Sequence, residues 1–128
     1  MRPVAIVALL SLTVWGLTAC GGGSTSSVPE LSEAAAEGRR IANSNGCAAC
    51  HGSDGRGGVG PAFQGLFGAD RELVDGSIVV ADRDYLYESI TQPGAKLVAG
   101  YKVLMPSNAL DDAQVASIIT YIEELVDR

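Results

Sequence analysis

Two cysteines and a histidine lie within one five-residue stretch, Cys47-Ala48-Ala49-Cys50-His51. This Cys-x-x-Cys-His spacing is the pattern of covalent haem attachment. Two thiols three positions apart can reach the two vinyl groups of one haem, and the histidine that follows is then placed under the iron. The motif therefore predicts one covalent haem c on Cys47 and Cys50, with His51 as the proximal iron ligand.

Three other uses of this motif fit the sequence less well. A thioredoxin-type redox pair needs a strand before it and a helix after it, whereas the glycine-rich stretch Gly52–Gly60 follows here. A structural zinc site needs four ligands, and beyond Cys20 the chain offers only these two cysteines and one histidine. A plain disulfide would leave His51 without a role.

Met105 is the leading candidate for the sixth iron ligand. His51 is the only histidine of the chain, so ligation by two histidines is impossible, and Met105 is the only methionine besides Met1. Met105 lies in the segment Gly100–Pro106, which has no amphipathic pattern, and this argues against ordinary core filling. Lys96 and Lys102 are the alternative ligands.

The start of the chain has the features of an export signal. Arg2 precedes the apolar run Val4–Leu17, which has no charged residue and is short for a membrane-spanning helix. The following sequence, Leu17-Thr18-Ala19-Cys20, resembles the lipobox of bacterial lipoproteins, in which cleavage before the cysteine is coupled to its acylation. An uncleaved transmembrane anchor is the alternative.

A domain organisation follows from this reading. We expect residues 1–19 to be a lipoprotein signal peptide, residues 20–29 to be an acylated Cys20 with a flexible Gly/Ser-rich tether, and residues 30–128 to be the folded domain. The protein is then exported and lipid-anchored to a bacterial membrane, with its domain on the periplasmic or extracytoplasmic side.

Composition limits the partners. The chain has 128 residues and a formal net charge of −6. This length allows one domain with appendages. An acidic chain is not expected to bind nucleic acid, because the phosphates of the nucleic acid would repel it.

Local patterns predict three helices and a hairpin. The helices are Leu31–Asn45, Tyr85–Gln92 after a cap at Asp82 or Asp84, and a last helix that is capped by Asp111 and reaches about Val126. A hairpin over Leu73–Val80 turns at Asp75-Gly76.

The covalent haem motif, the later methionine and the flanking helices together resemble a class I cytochrome c. More narrowly, the chain is similar to the cytochrome c domain fused to subunit II of caa3-type haem–copper oxidases, and to the monohaem lipoprotein cytochrome of alternative complex III. The residues that carry this likeness are Asp75-Gly76-Ser77, Asp82–Ile90, Pro93-Gly94-Ala95, Gly100-Tyr101 and Met105-Pro106. The resemblance implies an all-α class I cytochrome c fold, with helices packed around one haem and a small β-hairpin insertion.

The resemblance also implies roles for individual residues. The Pro61 carbonyl would accept the proximal imidazole N–H, and Gly38 would meet Tyr121 where the first and last helices cross. Arg71 or Tyr101 would hydrogen-bond a haem propionate, and the sequence does not choose between them. The apolar haem-pocket wall would consist of Leu66, Leu86, Ile90, Val103 and Leu104.

An iron with both axial positions filled suits electron transfer, because no site is open for a substrate. The expected function is therefore that of an electron carrier and not an enzyme. It would pass single electrons between respiratory complexes, or act as a subunit of one, towards a haem–copper oxidase or within alternative complex III. The alternative is a haem enzyme or a gas or redox sensor in which Met105 is displaced.

Overall fold

The computed structural model describes residues 30–126, and the predicted signal peptide, Cys20 and most of the tether lie outside these residues. Four helices and one two-stranded sheet make up this part of the chain. They follow the order α1 (Glu33–Ser44), α2 (Ala48–His51), β1 (Asp70–Glu72), β2 (Ile78–Val80), α3 (Arg83–Thr91) and α4 (Asp112–Glu123). Among residues 30–126, no helix is long and apolar enough to cross a membrane.

A side-chain cap precedes each of the three longer helices. Ser32 accepts a hydrogen bond from the Ala35 amide at the start of α1, and Asp82 accepts one from the Tyr85 amide at the start of α3. At α4, Asp111 and Gln114 form a reciprocal capping box. Each cap satisfies an amide that the first helical turn leaves without a partner. Asp82 is thus the cap of α3, which begins at Arg83, two residues before its predicted start. Helix α1 lies within its predicted range, and α4 follows its predicted cap but ends at Glu123, before the predicted end near Val126.

The crossing of α1 and α4 forms the largest packing interface between elements. A Cβ atom added at Gly38 would lie 2.0 Å from the backbone oxygen of Ser117 and 2.9 Å from the Cβ of Tyr121. Gly38 therefore allows the two backbones to approach more closely than any side chain would permit. The predicted meeting of Gly38 with Tyr121 is confirmed.

The hydrophobic core lies beneath this crossing. On α4 the side chains of Val115, Ile118 and Ile122 are at most 2% exposed. Val126, the predicted end of the last helix, lies beyond the end of α4 and is 41% exposed.

The hairpin is present, but its first strand lies earlier than the sequence predicts. Asp70 pairs with Val80 and Glu72 pairs with Ile78, so β1 consists of charged residues. The apolar Leu73 instead bridges to Val98, and the amide of Val74 donates to the carbonyl of Leu97. Long-range pairing therefore overrides the local β-propensity of Leu73 and Val74.

Candidate haem-binding site

Helix α2 places the three motif side chains on one cavity. Cys47 is the residue that precedes this helix, and Cys50 and His51 lie within it. All three line the same cavity, and both thiols are half-buried and outside any disulfide. Burial raises the pKa of the Cys47 thiol, because an apolar environment disfavours the thiolate. The short helix thus presents two thiols and one imidazole to the same space.

His51 is held by a backbone carbonyl. Its Nδ1 lies 2.7 Å from the carbonyl oxygen of Pro61. Because a carbonyl can only accept, Nδ1 carries the proton and Nε2 has its lone pair available for a metal. Burial lowers the pKa of His51, and the Pro61 carbonyl partly offsets this effect. The imidazole is therefore neutral and oriented, as a metal ligand must be.

Two successive aromatic contacts link the His51 ring to the core. The ring stacks on Phe63 with centroids 4.5 Å apart and an angle of 17° between the planes. Phe63 in turn meets the edge of Tyr121 at 6.2 Å. The imidazole is thereby linked to α4 and to the α1–α4 crossing. Sequence reasoning missed Phe63, which follows Pro61 by two positions in a segment without a regular pattern.

Met105 lines the same cavity as His51. Its segment is anchored to α3, because the side-chain amide of Asn108 donates to the carbonyl of Ile90 at 2.7 Å. Asn108 also accepts a hydrogen bond from the amide of Leu110, a half-buried residue that packs against the core. These contacts bring Met105 and His51 to one site from distant parts of the chain.

The cavity wall is largely apolar. All five predicted wall residues line it, and Leu66, Leu86 and Ile90 are buried. Val103 and Leu104 are 55% and 69% exposed, so they belong to the mouth of the cavity. Within residues 30–126, no Asp or Glu side chain lines the cavity, although Arg71 and Lys96 do. Such a lining suits a flat apolar group with anionic substituents.

Two buried polar atoms of the described residues have no hydrogen-bond partner, the Nε of Arg71 and the Oγ of Ser89. Both residues line this cavity. A buried donor without a partner costs about 1–3 kcal/mol, so both atoms favour a ligand with acceptor groups at this site. Tyr101 also lines the cavity, but it is exposed at the mouth. The geometry therefore favours Arg71 over Tyr101 as the propionate partner.

A family model described as cytochrome c matches residues 35–125. The chain belongs to the cytochrome c family. The match covers α1 from its third residue, the whole of α2 to α4, and the residues that line the cavity. A search of curated proteins gave no significant match.

Membership confirms the predicted class I cytochrome c fold and its cofactor. The cytochrome c domain binds covalent haem c and transfers electrons. The structure fits that group, because the half-buried Cys47 and Cys50, the oriented His51 and the unpartnered Arg71 all face one apolar cavity. When bound, the haem supplies an iron that gains or loses one electron. The residues of the chain hold it, exclude water and set its potential.

Proposed function

We propose that this cytochrome c is a lipid-anchored, monohaem electron carrier of a bacterial respiratory chain. In it, Cys47 and Cys50 would hold the haem covalently, and His51 and Met105 would bind its iron. The observation that carries the proposal is the convergence of His51 and Met105 on one cavity, with His51 Nδ1 already engaged by Pro61. Two occupied axial positions favour electron transfer over substrate chemistry, and Met/His ligation favours a high reduction potential.

The mouth of the cavity supports electron exchange with a protein partner. Four apolar side chains that line the cavity are at least half exposed there: Val59, Val74, Val103 and Leu104. Apolar contacts at the centre of a small interface suit a transient complex, in which charge sets orientation and on-rate. We infer that the partner docks over this mouth and that the electron passes through the haem edge.

The start of the described domain, where the proposed tether would join it, supports this arrangement. The N-terminal end of α1 is held to the last turn of the domain, because the Ser32 amide donates to Glu124 at 2.9 Å. The opposite end of α1 leads into Asn45 and Cys47, which line the cavity. Twelve helical residues extend for about 18 Å. A membrane anchor attached before Ser32 therefore leaves the mouth of the cavity accessible.

By family resemblance, the proposed partner is a membrane respiratory complex, either a haem–copper oxidase or alternative complex III. Purification in mild detergent tests this proposal, because the partner subunits should co-purify or accept electrons from the ferrous protein. Acylation of Cys20 is tested separately by fatty-acid labelling of the wild type and of Cys20→Ser. Intact residues 1–19 in membrane extracts of the wild type would contradict the lipoprotein proposal.

Exposure to carbon monoxide tests the closed iron site. The ferrous wild type should react poorly, whereas Met105→Ala should bind the gas readily, because that substitution opens the sixth position. The ferric wild type should also show the weak red sulfur-to-iron charge-transfer band, and Met105→Ala should lose it. A wild type that binds carbon monoxide as readily as the variant would favour the enzyme or sensor alternative.

A further inference from the structure

The two strands of the hairpin differ in what covers their outer sides. Beyond β1 lies the segment 97–99, where the amide of Ala99 donates to the carbonyl of Glu72 at 2.9 Å and Val98 bridges to Leu73. Among residues 30–126, no segment pairs with the outer side of β2 in this way. Strand β2 is therefore an edge strand.

The register of the hairpin shows which backbone groups of β2 point outward. The amide of Leu73 donates to the carbonyl of Ser77, and the amide of Ala81 donates to that of Ala69, at opposite ends of the ladder. Hydrogen-bonded and non-hydrogen-bonded pairs alternate along an antiparallel ladder. Ile78 follows Ser77 by one position and so belongs to a pair without hydrogen bonds. Its N–H and C=O groups therefore point away from β1, where neither has a partner among residues 30–126.

The outer face of the hairpin is apolar along β2 and acidic along β1. The side chains of Ile78 and Val80 are 68% and 50% exposed. They lie opposite Glu72 and Asp70, which are exposed and form no ion pair within residues 30–126. Edge strands commonly carry lysine or proline, which hinders pairing with other chains, but β2 has neither. An edge of this kind is suited to receive a further strand.

The opposite face of the hairpin belongs to the haem cavity. Arg71 lines that cavity, and the half-buried Val79 packs against the core. Ile78 and Val80 are not among the described residues that line it. The edge of β2 is therefore a surface other than the cavity mouth.

We propose that β2 binds an extended segment of a partner protein by strand addition, and that this segment has lysine or arginine at alternate positions. Backbone hydrogen bonds to Ile78 would supply affinity, and side chains on one face would supply specificity. Lysine and arginine suit this face, because their alkyl stems can cover Ile78 and Val80 while their charged ends reach towards Glu72 and Asp70. A second copy of this chain fits less well, because both copies are acidic and like charges across strands are unfavourable.

Two short synthetic peptides test the proposal on the haem-loaded full chain in mild detergent. One alternates lysine with valine, and the other has the same composition with the lysines and valines in separate blocks. The alternating peptide should bind saturably in isothermal titration calorimetry and slow the hydrogen exchange of the Ile78 amide. The block peptide should bind about tenfold more weakly, because its lysines cannot lie on one face of a strand.

Variants of the edge locate the binding surface. Ile78→Lys should weaken binding of the alternating peptide about tenfold, because it removes an apolar contact and adds a like charge. Ile78→Pro removes the outward N–H without removing a ladder hydrogen bond and should weaken binding as well. Ala34→Lys is the control, because it makes the same charge change at an exposed position of α1.

Several outcomes would overturn the proposal. These are the absence of saturable binding, equal binding of the two peptides, and equal losses in Ile78→Lys and Ala34→Lys. Reversible dimerisation of the full chain that Ile78→Lys abolishes would instead assign the edge to a second copy. Ligation by Met105 and docking at the cavity mouth are not involved in these measurements, so the proposed function is tested separately.

Discussion

The Nδ1 atom of His51 and the carbonyl oxygen of Pro61 lie 2.7 Å apart across a glycine-rich loop. The loop can close this contact because Gly60 fits against the ring. A Cβ atom at Gly60 would lie 3.2 Å from Cε1 of His51 and 3.3 Å from the Cβ of Cys50. The hydrogen bond to Pro61 increases the basicity of the imidazole, and with His51 as an iron ligand it would favour the ferric state.

Substitution of Gly60 tests this relationship. Gly60→Ala should push the His51 ring away from Pro61, weaken the hydrogen bond and raise the reduction potential. We expect a rise of roughly 20–60 mV, a twofold to tenfold change in the redox equilibrium, measured by spectroelectrochemical titration. Gly94→Ala is the control, because an added Cβ there meets no atom within 4 Å. An unchanged potential in Gly60→Ala would show that the contact does not tune the iron.

The α1–α4 crossing should tolerate no side chain at Gly38. Gly38→Ala would gain up to about 1 kcal/mol in helix propensity, but its Cβ would overlap the Ser117 carbonyl. Overpacking of this kind costs about 1–3 kcal/mol or more, and here backbone rather than a flexible side chain must move. We therefore expect a net loss in the free energy of unfolding, measured by urea denaturation. Stability equal to that of Gly94→Ala would contradict the close approach.

The Nε atom of Arg71 is buried without a hydrogen-bond partner. We therefore expect substitution of Arg71 to remove a positive charge that stabilises the bound haem. Arg71→Gln should lower the reduction potential and the thermal stability of the haem-loaded protein, because a partly buried cation that lines the haem cavity would favour ferrous iron. Tyr101→Phe should have a smaller effect, since Tyr101 lies exposed at the mouth of the cavity. Arg56→Gln is the matched control, because Arg56 is exposed and pairs with Asp54 at 3.0 Å. Redox titration and thermal denaturation check these outcomes, and a larger shift in Tyr101→Phe would reverse the assignment.

The haem should remain attached through two thioether bonds. Mass spectrometry of the denatured wild type should show the haem mass on the polypeptide. Cys47→Ala and Cys50→Ala should each leave one bond, and the double variant should release the haem on denaturation. An apo mass or a zinc adduct in the wild type would refute the motif assignment.

Docking at the cavity mouth predicts an ionic-strength effect that involves Lys102. Two lysines, Lys96 and Lys102, precede Met105 in the sequence, but Lys96 forms an ion pair with Glu88. Lys102 is exposed, so the prediction concerns the charge of this residue.

Lys102→Glu should alter the salt dependence of electron transfer to the partner more than Arg39→Glu, which makes the same charge change on an exposed position of α1. Stopped-flow rates above and below about 0.1 M salt, where the Debye length is roughly 10 Å, measure this. Equal effects from the two variants would show that the mouth of the cavity is not the docking site.

Adjacent residues were enough to predict the haem motif, the last helix and its cap at Asp111. A motif of five consecutive residues, a capping residue and a helical repeat each depend on near neighbours in the chain. The single histidine and the single late methionine also made His51 and Met105 the leading ligand pair, and the structure brings both to one cavity.

Tertiary structure decided the choices that depend on distant residues. The shift of β1 to Asp70–Glu72 arises because Leu73 pairs with Val98, far along the chain. The preference for Arg71 over Tyr101 depends on the Nε atom of Arg71, which folding buries without a partner. The ion pair of Lys96 depends on Glu88, which folding brings beside it. Burial and ion pairing arise between residues that only folding brings together. They therefore cannot be predicted from the neighbours of a residue along the chain.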